Sequence, residues 1–389
     1  MTTLVVASLA CAVWLYLLLL RGGFWRAAER DDGADLASFA PDAWPRVVAV
    51  VPARDEAEVI AACVDSLVRQ DYPGAFEIVV VDDHSTDGTA AIACAAAAAA
   101  RGPDRLEILS APTLPKAWTG KLWAMSCGVR HVDASPAPPD YLLFTDADIQ
   151  CAEDTVTMLV NRAERDRLVL TSLMAKLHCE SFAERALIPA FIFFFRMLYP
   201  FAWVNRQELA TAAAAGGCML VRRQALERAG GLAALRGELI DDCALGRLLK
   251  AQGPIWLGLT NRARSLRAFA SIGDIRPMIS RSAFAQLRYS PWLLIGTVLS
   301  IASTFVAPPL LAIGSTGLAQ LLGAASWLLM ALAFQPTLRF YGVSRWWGVA
   351  LPAIACVYLA FTLDSAWRHW RGRGGLWKGR PHVPAPNKR

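Results

Sequence analysis

The stretch "LLFTDADIQC", residues 142–151, decides how the chain is read. The apolar residues Leu142 to Phe144 pass through Thr145 straight into Asp146, Ala147 and Asp148. A short apolar run bounded by turn residues reads as a buried strand. Two carboxylates at i and i+2 on the turn that follows can face one ligand volume. Mg²⁺ or Mn²⁺ is a hard cation that takes oxygen ligands and commonly shares them with a bound diphosphate. The same residues also suit a helix start, with Asp148 near an N-cap and Glu153–Asp154 in the first turn. The triplet alone leaves both readings open.

Working outward, "RVVAVV" (46–51), "FEIVVV" (76–81) and "RLEIL" (105–109) join "YLLFT" (141–145) as short strands. Stretches of helical length, 56–69, 87–101 and 120–132, lie between them. This alternation predicts a parallel α/β sheet with helices on both faces. Ligands of such sheets bind beyond the carboxyl ends of the strands. Three successive ends are charged. "VVPARDEAEVI" (50–60) runs from strand through Pro52 into charges, and "IVVVDDHSTDGT" (78–89) runs from strand into Asp82–Asp83. Ser85, Thr86, Asp87 and Gly88 supply turn and capping chemistry there. With Asp146 and Asp148, these ends converge on one edge and make a site for a polar ligand and a cation. Further on, Gly216–Gly217–Cys218–Met219 lets backbone approach a ligand closely, or simply bends. "GELIDDCALGRLL" (237–249) puts Asp241–Asp242 near the start of an amphipathic helix, where acids favour the dipole and where one could act as a general base.

The rest of the chain is membrane-like. It has 389 residues and is 55% hydrophobic, with a mean hydropathy of +0.35. Residues 2–20 are uncharged, long enough to span a bilayer, and followed by Arg21, Arg26 and Arg30. Basic residues after the apolar run argue for a retained anchor over 1–21, its C-terminal side in the cytoplasm, rather than a cleaved signal. A linker over 22–45 leads into a catalytic domain over 46–272. Within it, 186–204 is apolar but broken by Pro189, Arg196 and Pro200, and reads as interfacial or re-entrant, with a buried core helix as the alternative. An amphipathic interface helix is expected over 273–290, then membrane helices within 291–366 (291–313, 315–334 and 347–363), then a basic tail over 367–389. Three C-terminal crossings would put that tail outside, whereas the positive-inside rule wants it in the cytoplasm. Pro308–Pro309 could make the first stretch re-entrant, or the short third stretch could lie in the interface. The six arginines between Arg262 and Arg288 fit a cytoplasmic membrane face. No nucleic-acid-binding motif accompanies the charge, and no obligate protein partner is evident. Nine scattered cysteines, none in a CxxC pair, suit reduced thiols.

The pattern across the chain is more specific than any piece of it. "PARDEAEVI", "VVVDDHSTDGT", "FTDADI" and "DDCALGRLL" resemble, in order and spacing, the motifs of family 2 glycosyltransferases with a GT-A fold. "WTGKLWA" (118–124), "IPAFIFFFRMLYPFAWVN" (188–205), "TAAAAGGCMLVRR" (211–223), "GPIWLGLT" (253–260) and "AFAQLRYSP" (283–291) are similar to the hopene-associated glycosyltransferases of bacteria. That subgroup is in turn similar to ceramide glucosyltransferases. The resemblance implies a Rossmann-like, mostly parallel α/β catalytic domain between N- and C-terminal transmembrane helices. It implies a UDP-sugar donor, a lipid acceptor, and Mg²⁺ or Mn²⁺ as cofactor. Pro52, Ala53, Arg54 and Glu56 would lie along the nucleotide, with Asp82 and Asp83 near uracil and ribose. Asp148, with Asp146, would bind the cation. Lys121 would sit near the donor, and Gly216, Gly217, Cys218 and Met219 would border the sugar or acceptor. Asp242 would be the base, its neighbour Asp241 replacing the family's glutamate. Arg288 would meet the diphosphate, although Ala285 and Tyr289 depart from the family's helix there. The implied setting is the bacterial inner membrane with the catalytic domain on the cytoplasmic side. A processive polysaccharide synthase and a non-catalytic nucleotide-sugar-binding membrane protein are the competing readings.

Overall fold

The structure, a computed structural model, describes residues 1–32, 39–372, 376–377 and 380–381; most of the basic tail lies outside the described residues. Two compact units emerge: Glu29–His178 with Trp203–Arg267 and Leu376–Arg389, and Met1–Ala28 with Cys179–Ala202 and Ala268–Gly375.

The first unit is built on eight strands: β1 Val47–Ala53, β2 Phe76–Asp82, β3 Leu106–Ser110, β4 Tyr141–Thr145, β5 Ile149–Cys151, β6 Leu170–Lys176, β7 Cys218–Arg222 and β8 Ile255–Ser265. They form one sheet in the order β3-β2-β1-β4-β7-β6-β8-β5. The strands β3, β2, β1 and β4 are parallel, and β6 is parallel to β8. Two strands run the other way: β7 between β4 and β6, and β5 on the edge of β8. The α/β, Rossmann-like, mostly parallel sheet expected of a GT-A fold is therefore present, with apolar helices in both terminal regions. Its first half follows from composition. Every residue of β1 is buried, as a parallel strand covered on both faces must be, and its Val-rich run suits that environment.

On one face Val47, Ala49 and Val51 pack with Ile60, Val64 and Leu67. On the other, the helix Gly120–Asp133 comes so close that a Cβ on Gly128 would stand 2.5 Å from Val50 Cγ1. This close approach seats the start of that helix, and with it Lys121, beside the strand ends.

Among the described residues, the second unit contains three helices long and apolar enough to cross a membrane: Thr2–Leu19, Pro291–Gly314 and Gly317–Tyr341. The third expected C-terminal stretch is a helix, Leu351–Trp370, but is not among them; it carries Asp364, whose carboxylate pairs with Arg276 and Arg368. Pro308–Pro309 do not end their helix. A π turn over Ala302–Val306 precedes them and accommodates residues that lack an N–H. The single helix expected over 273–290 is two, Ile272–Ser280 and Ala283–Gln286; Pro277 removes a donor from the first, which stops soon after. Most of the apolar stretch 186–204 also belongs here. Its helix Phe182–Leu198 starts at a capping box on Ser181 and packs Phe193 against Phe24 and Phe334. The domain expected over 46–272 is thus interrupted in sequence by Cys179–Ala202. The expected linker over 22–45 is not wholly free either: Leu259 donates to Glu29 and accepts from Asp31, tying residues 29–31 to β8.

Gly128→Ala is expected to destabilise the protein by about 1–3 kcal/mol through overpacking against Val50. A thermal shift on the full chain in detergent checks this; an unchanged midpoint would mean that the helix is not held that close.

Candidate active site

Because β1, β2 and β4 are parallel, their carboxyl ends share one edge of the sheet. Two loops there are stitched together. The Asp55 N–H donates to Ser85 Oγ at 3.0 Å, and the Thr86 N–H donates to Asp55 Oδ1 at 2.8 Å. The Glu56 N–H donates to Thr89 Oγ1 at 2.9 Å and the Ala57 N–H to Asp87 Oδ2 at 2.9 Å. Asp55 and His84 adopt left-handed φ of 49° and 57°, a conformation non-glycine residues rarely take outside turns and functional loops. Pro52 and Ala53 close β1 beside Val81 and Asp82. Arg54 donates to the Asp83 carbonyl, and its guanidinium lies 3.9 Å from the fully buried Asp83 carboxylate. Asp82 accepts the Ser85 N–H in the turn.

The antiparallel β7 brings its N-terminal end to the same edge, with Thr145 opposite Cys218. Thr145 Oγ1 donates to the Gly217 carbonyl at 2.9 Å. The Gly216 N–H donates to Asp242 Oδ2 at 3.0 Å, and the Cys243 N–H to Asp242 Oδ1 at 2.7 Å. Asp241 and Asp242 open the helix Asp241–Lys250. That helix is seated by Gly246, where a Cβ would lie 2.7 Å from the Ala213 carbonyl carbon. Gly216 has a steric reason to be glycine too: a Cβ there would stand 3.3 Å from Lys121 Nζ and 3.5 Å from Asp242. Cys218 departs from its expected role, because strand alternation sends its side chain into the core beside Cys151. Met219, the next residue, is buried as well.

Lys121 joins the two halves. Its ammonium lies 2.6 Å from Asp146 Oδ1 and 3.8 Å from Asp241 Oδ2. Burial works against that charge, but Asp146, Asp241 and Asp242 outweigh it and hold the ammonium well above its ordinary range. Burial raises Asp146, partly offset by Lys121 and reinforced by Asp148 and Asp241. Burial and the charge of Asp241 push Asp242 up to about 6, against Lys121 and the two N–H groups that favour its carboxylate. A carboxylate poised there suits proton abstraction near neutral pH.

Asp148 faces another cation. Leu266 donates to its carbonyl, and β5 pairs Ile149 with Ser265 of β8. Arg267 Nε then donates to Asp148 Oδ2 at 3.1 Å, while its Nη2 donates to Glu56 at 2.8 Å. Arg267 was not among the residues expected at the site; its only signal was membership of the arginine cluster after residue 262. Arg288 belongs to the other compact unit, after Ala283–Gln286, at φ 52°.

No group of three or more His, Cys, Asp or Glu able to hold a metal occurs among the described residues. Asp146 and Asp148 nevertheless fit a hard cation of the Mg²⁺ type, which is usually held by one or two carboxylates together with substrate phosphates rather than by a cage of protein ligands. Each carboxylate is already paired with one protein cation, Asp146 with Lys121 and Asp148 with Arg267, so a metal would have to share or displace those partners.

The mannosyltransferase PcManGT from Pyrobaculum calidifontis, solved with GDP-Man and Mn²⁺, is 20% identical, with a TM-score of 0.52 over 94% of this chain and 99% of that one. Glucosyl-3-phosphoglycerate synthase from Mycobacterium tuberculosis, solved with Mg²⁺ and uridine-diphosphate, is 20% identical, with a TM-score of 0.39 over 63% of this chain and 79% of that one. TarS of S. aureus with UDP-GlcNAc is 14% identical, with a TM-score of 0.36 over 86% and 95%. The first of these shows a shared fold; identities this low carry no substrate from one protein to another. No curated protein matches the chain significantly. Residues 48–230, which hold β2 to β7 and all of β1 but its first residue, match the family described as Glycosyl transferase family 2.

Proposed function

We propose that the protein transfers a sugar from a UDP-sugar to the hydroxyl of a membrane lipid, with inversion at the anomeric carbon. The observation that carries this reading is the Lys121 ammonium, which ties the Asp146 carboxylate on the donor side to the Asp241–Asp242 pair on the acceptor side. The apolar helices of the second unit support a lipid acceptor, and its resemblance-based candidates are hopanoid-related or ceramide-like alcohols. The arginines after the N-terminal helix support a cytoplasmic face of the bacterial inner membrane.

In this mechanism Pro52, Ala53, Arg54, Glu56, Asp82 and Asp83 line the nucleoside end of the donor. Gly216 and Gly217 leave room for the sugar. Asp146 and Asp148 would hold Mg²⁺ or Mn²⁺, which when bound would neutralise charge on the diphosphate. Lys121 adds fixed positive charge toward the departing UDP. Asp242 takes the proton of the acceptor hydroxyl. The acceptor oxygen bonds to the anomeric carbon from the face opposite the diphosphate. The bond from that carbon to the diphosphate oxygen breaks, and its electron pair leaves with UDP. Asp242 is held for this task by the Gly216 and Cys243 N–H groups, which fix both of its oxygens.

The test is UDP release by the full chain in lipid nanodiscs, with a panel of UDP-sugars, added hopanoid alcohol or ceramide, and Mn²⁺ or EDTA. Release that needs one sugar, one lipid and the metal is expected; UDP binding with no release from any pair would contradict the proposal.

Asp242→Asn is expected to lower UDP release by about 10²–10⁴-fold. A raised folded pKa means the fold prefers the neutral acid. Below the ordinary aspartate value, about 3.9, folding costs nothing extra at this group. Stability then falls as pH rises toward about 6, and the cost is complete above it. At neutral pH the Asp242→Asn protein is therefore expected to melt no lower than wild type, whereas a lower midpoint with retained turnover would remove Asp242 from the role of base.

The rate is also expected to climb about tenfold per pH unit on its acid side and to level off near pH 6. A profile of kcat/KM against pH checks this, and a flat profile between pH 5 and 7 would contradict it.

A further inference from the structure

We propose that Arg267 is a built-in place-holder for the divalent cation: it neutralises Asp148 and Glu56 while no donor is bound, and turns to the diphosphate when a metal–nucleotide complex takes Asp148. The inference rests on the reading of Asp148 as a metal ligand.

The geometry is specific. The edge of the guanidinium is shared between two carboxylates that come from different strand ends. Nε donates to Asp148 Oδ2 at 3.1 Å, and Nη2 donates to Glu56 Oε2 at 2.8 Å and Oε1 at 3.1 Å. Ser265 Oγ donates to the same Asp148 oxygen at 3.3 Å. Burial works against the Arg267 charge, but Glu56 and Asp148 outweigh it. A guanidinium does not lose its proton at any working pH. It therefore yields Asp148 only by moving, not by titrating. It has the freedom to move: the Arg267 side chain is 41% exposed, against 19% for the Lys121 side chain that pairs with Asp146.

A bare cation approaching Asp148 meets a like charge about 3 Å from the carboxylate oxygen, which weakens binding. A cation that arrives on a diphosphate brings the guanidinium a new partner. Planar guanidinium suits phosphate oxygens bidentately. Metal and nucleotide should then bind far better together than either does alone, and Arg267 should be the residue that couples them. It acts as a positioning residue in this scheme, because it forms no bond with the reacting atoms.

The experiment measures Mn²⁺ binding by electron paramagnetic resonance, and UDP binding by calorimetry, on the full chain in nanodiscs. Wild type, Arg267→Met, Arg267→Lys and Asp148→Asn are compared, with thermal unfolding as the folding check. In Arg267→Met, Mn²⁺ alone should bind about tenfold more tightly, while UDP at saturating Mn²⁺ should bind about tenfold more weakly. Arg267→Lys keeps the charge and should restore weak binding of Mn²⁺ alone. A merely structural role would weaken both ligands together. Should folded Arg267→Met bind Mn²⁺ alone no more tightly than wild type, while Asp148→Asn abolishes Mn²⁺ binding, this inference fails and the metal reading stands. Should Asp148→Asn leave Mn²⁺ binding intact, both fail.

Discussion

One buried ammonium organises the edge of the sheet where the strand ends meet. Lys121 sits 2.6 Å from Asp146 and 3.8 Å from Asp241, with Asp242 next in reach. Without that charge the carboxylates would repel one another where water cannot screen them well. The rest of the domain works to deliver Lys121 there. Gly128 lets its helix lie against Val50, Thr119 caps the start of that helix by accepting the Leu122 N–H, and Gly216 leaves space in front of the ammonium. The parallel pairing of β1, β2 and β4 supplies the strand ends, and the antiparallel β7 returns Gly216 to them.

Both acidic positions of the Asp-x-Asp turn are met by protein cations, but in different ways. Lys121 is enclosed and reaches both Asp146 and Asp241. Arg267 is half-exposed and ties Asp148 to Glu56 across two strand ends. The site therefore keeps its negative charge in check before any ligand arrives, and the pairs that stabilise it are the ones a metal–diphosphate must rearrange. Asp242 bears the opposite burden. It is held by two backbone donors, yet burial and Asp241 keep its pKa high, which suits the proposed role of base near neutral pH.

The first half of the fold was legible because it is locally encoded. Val47–Val51, Ile78–Val81 and Leu142–Phe144 are unbroken apolar runs, and each ends in charge. The second half was not. The strand β5 has only three residues, β6 mixes Thr, Ser and Lys into its run, and β8 ends in "NRARS"; their pairing comes from tertiary contacts. Arg267 was illegible for the same reason. Only the pairing of Ile149 with Ser265 brings it to Asp148, 119 residues away in sequence. Cys218 was misread because proximity to two glycines said nothing about which face of β7 it occupies. Lys121 and Asp242 carried no decisive local signal; the roles proposed for them came from the family resemblance. The break in the domain at Cys179–Ala202 was visible as an apolar stretch, but its departure into the other unit depends on packing partners far along the chain.

The central claim is that these strand ends form a single metal-assisted donor site. The most direct measurement is the anomalous scattering of Mn²⁺ in crystals of the full chain grown with UDP and Mn²⁺. The account predicts one strong peak within coordination distance of the Asp148 carboxylate, shared with the diphosphate of a UDP whose nucleoside lies along Arg54, Asp82 and Asp83. A nucleotide bound elsewhere, or a Mn²⁺ peak that does not touch Asp146 or Asp148, would contradict it.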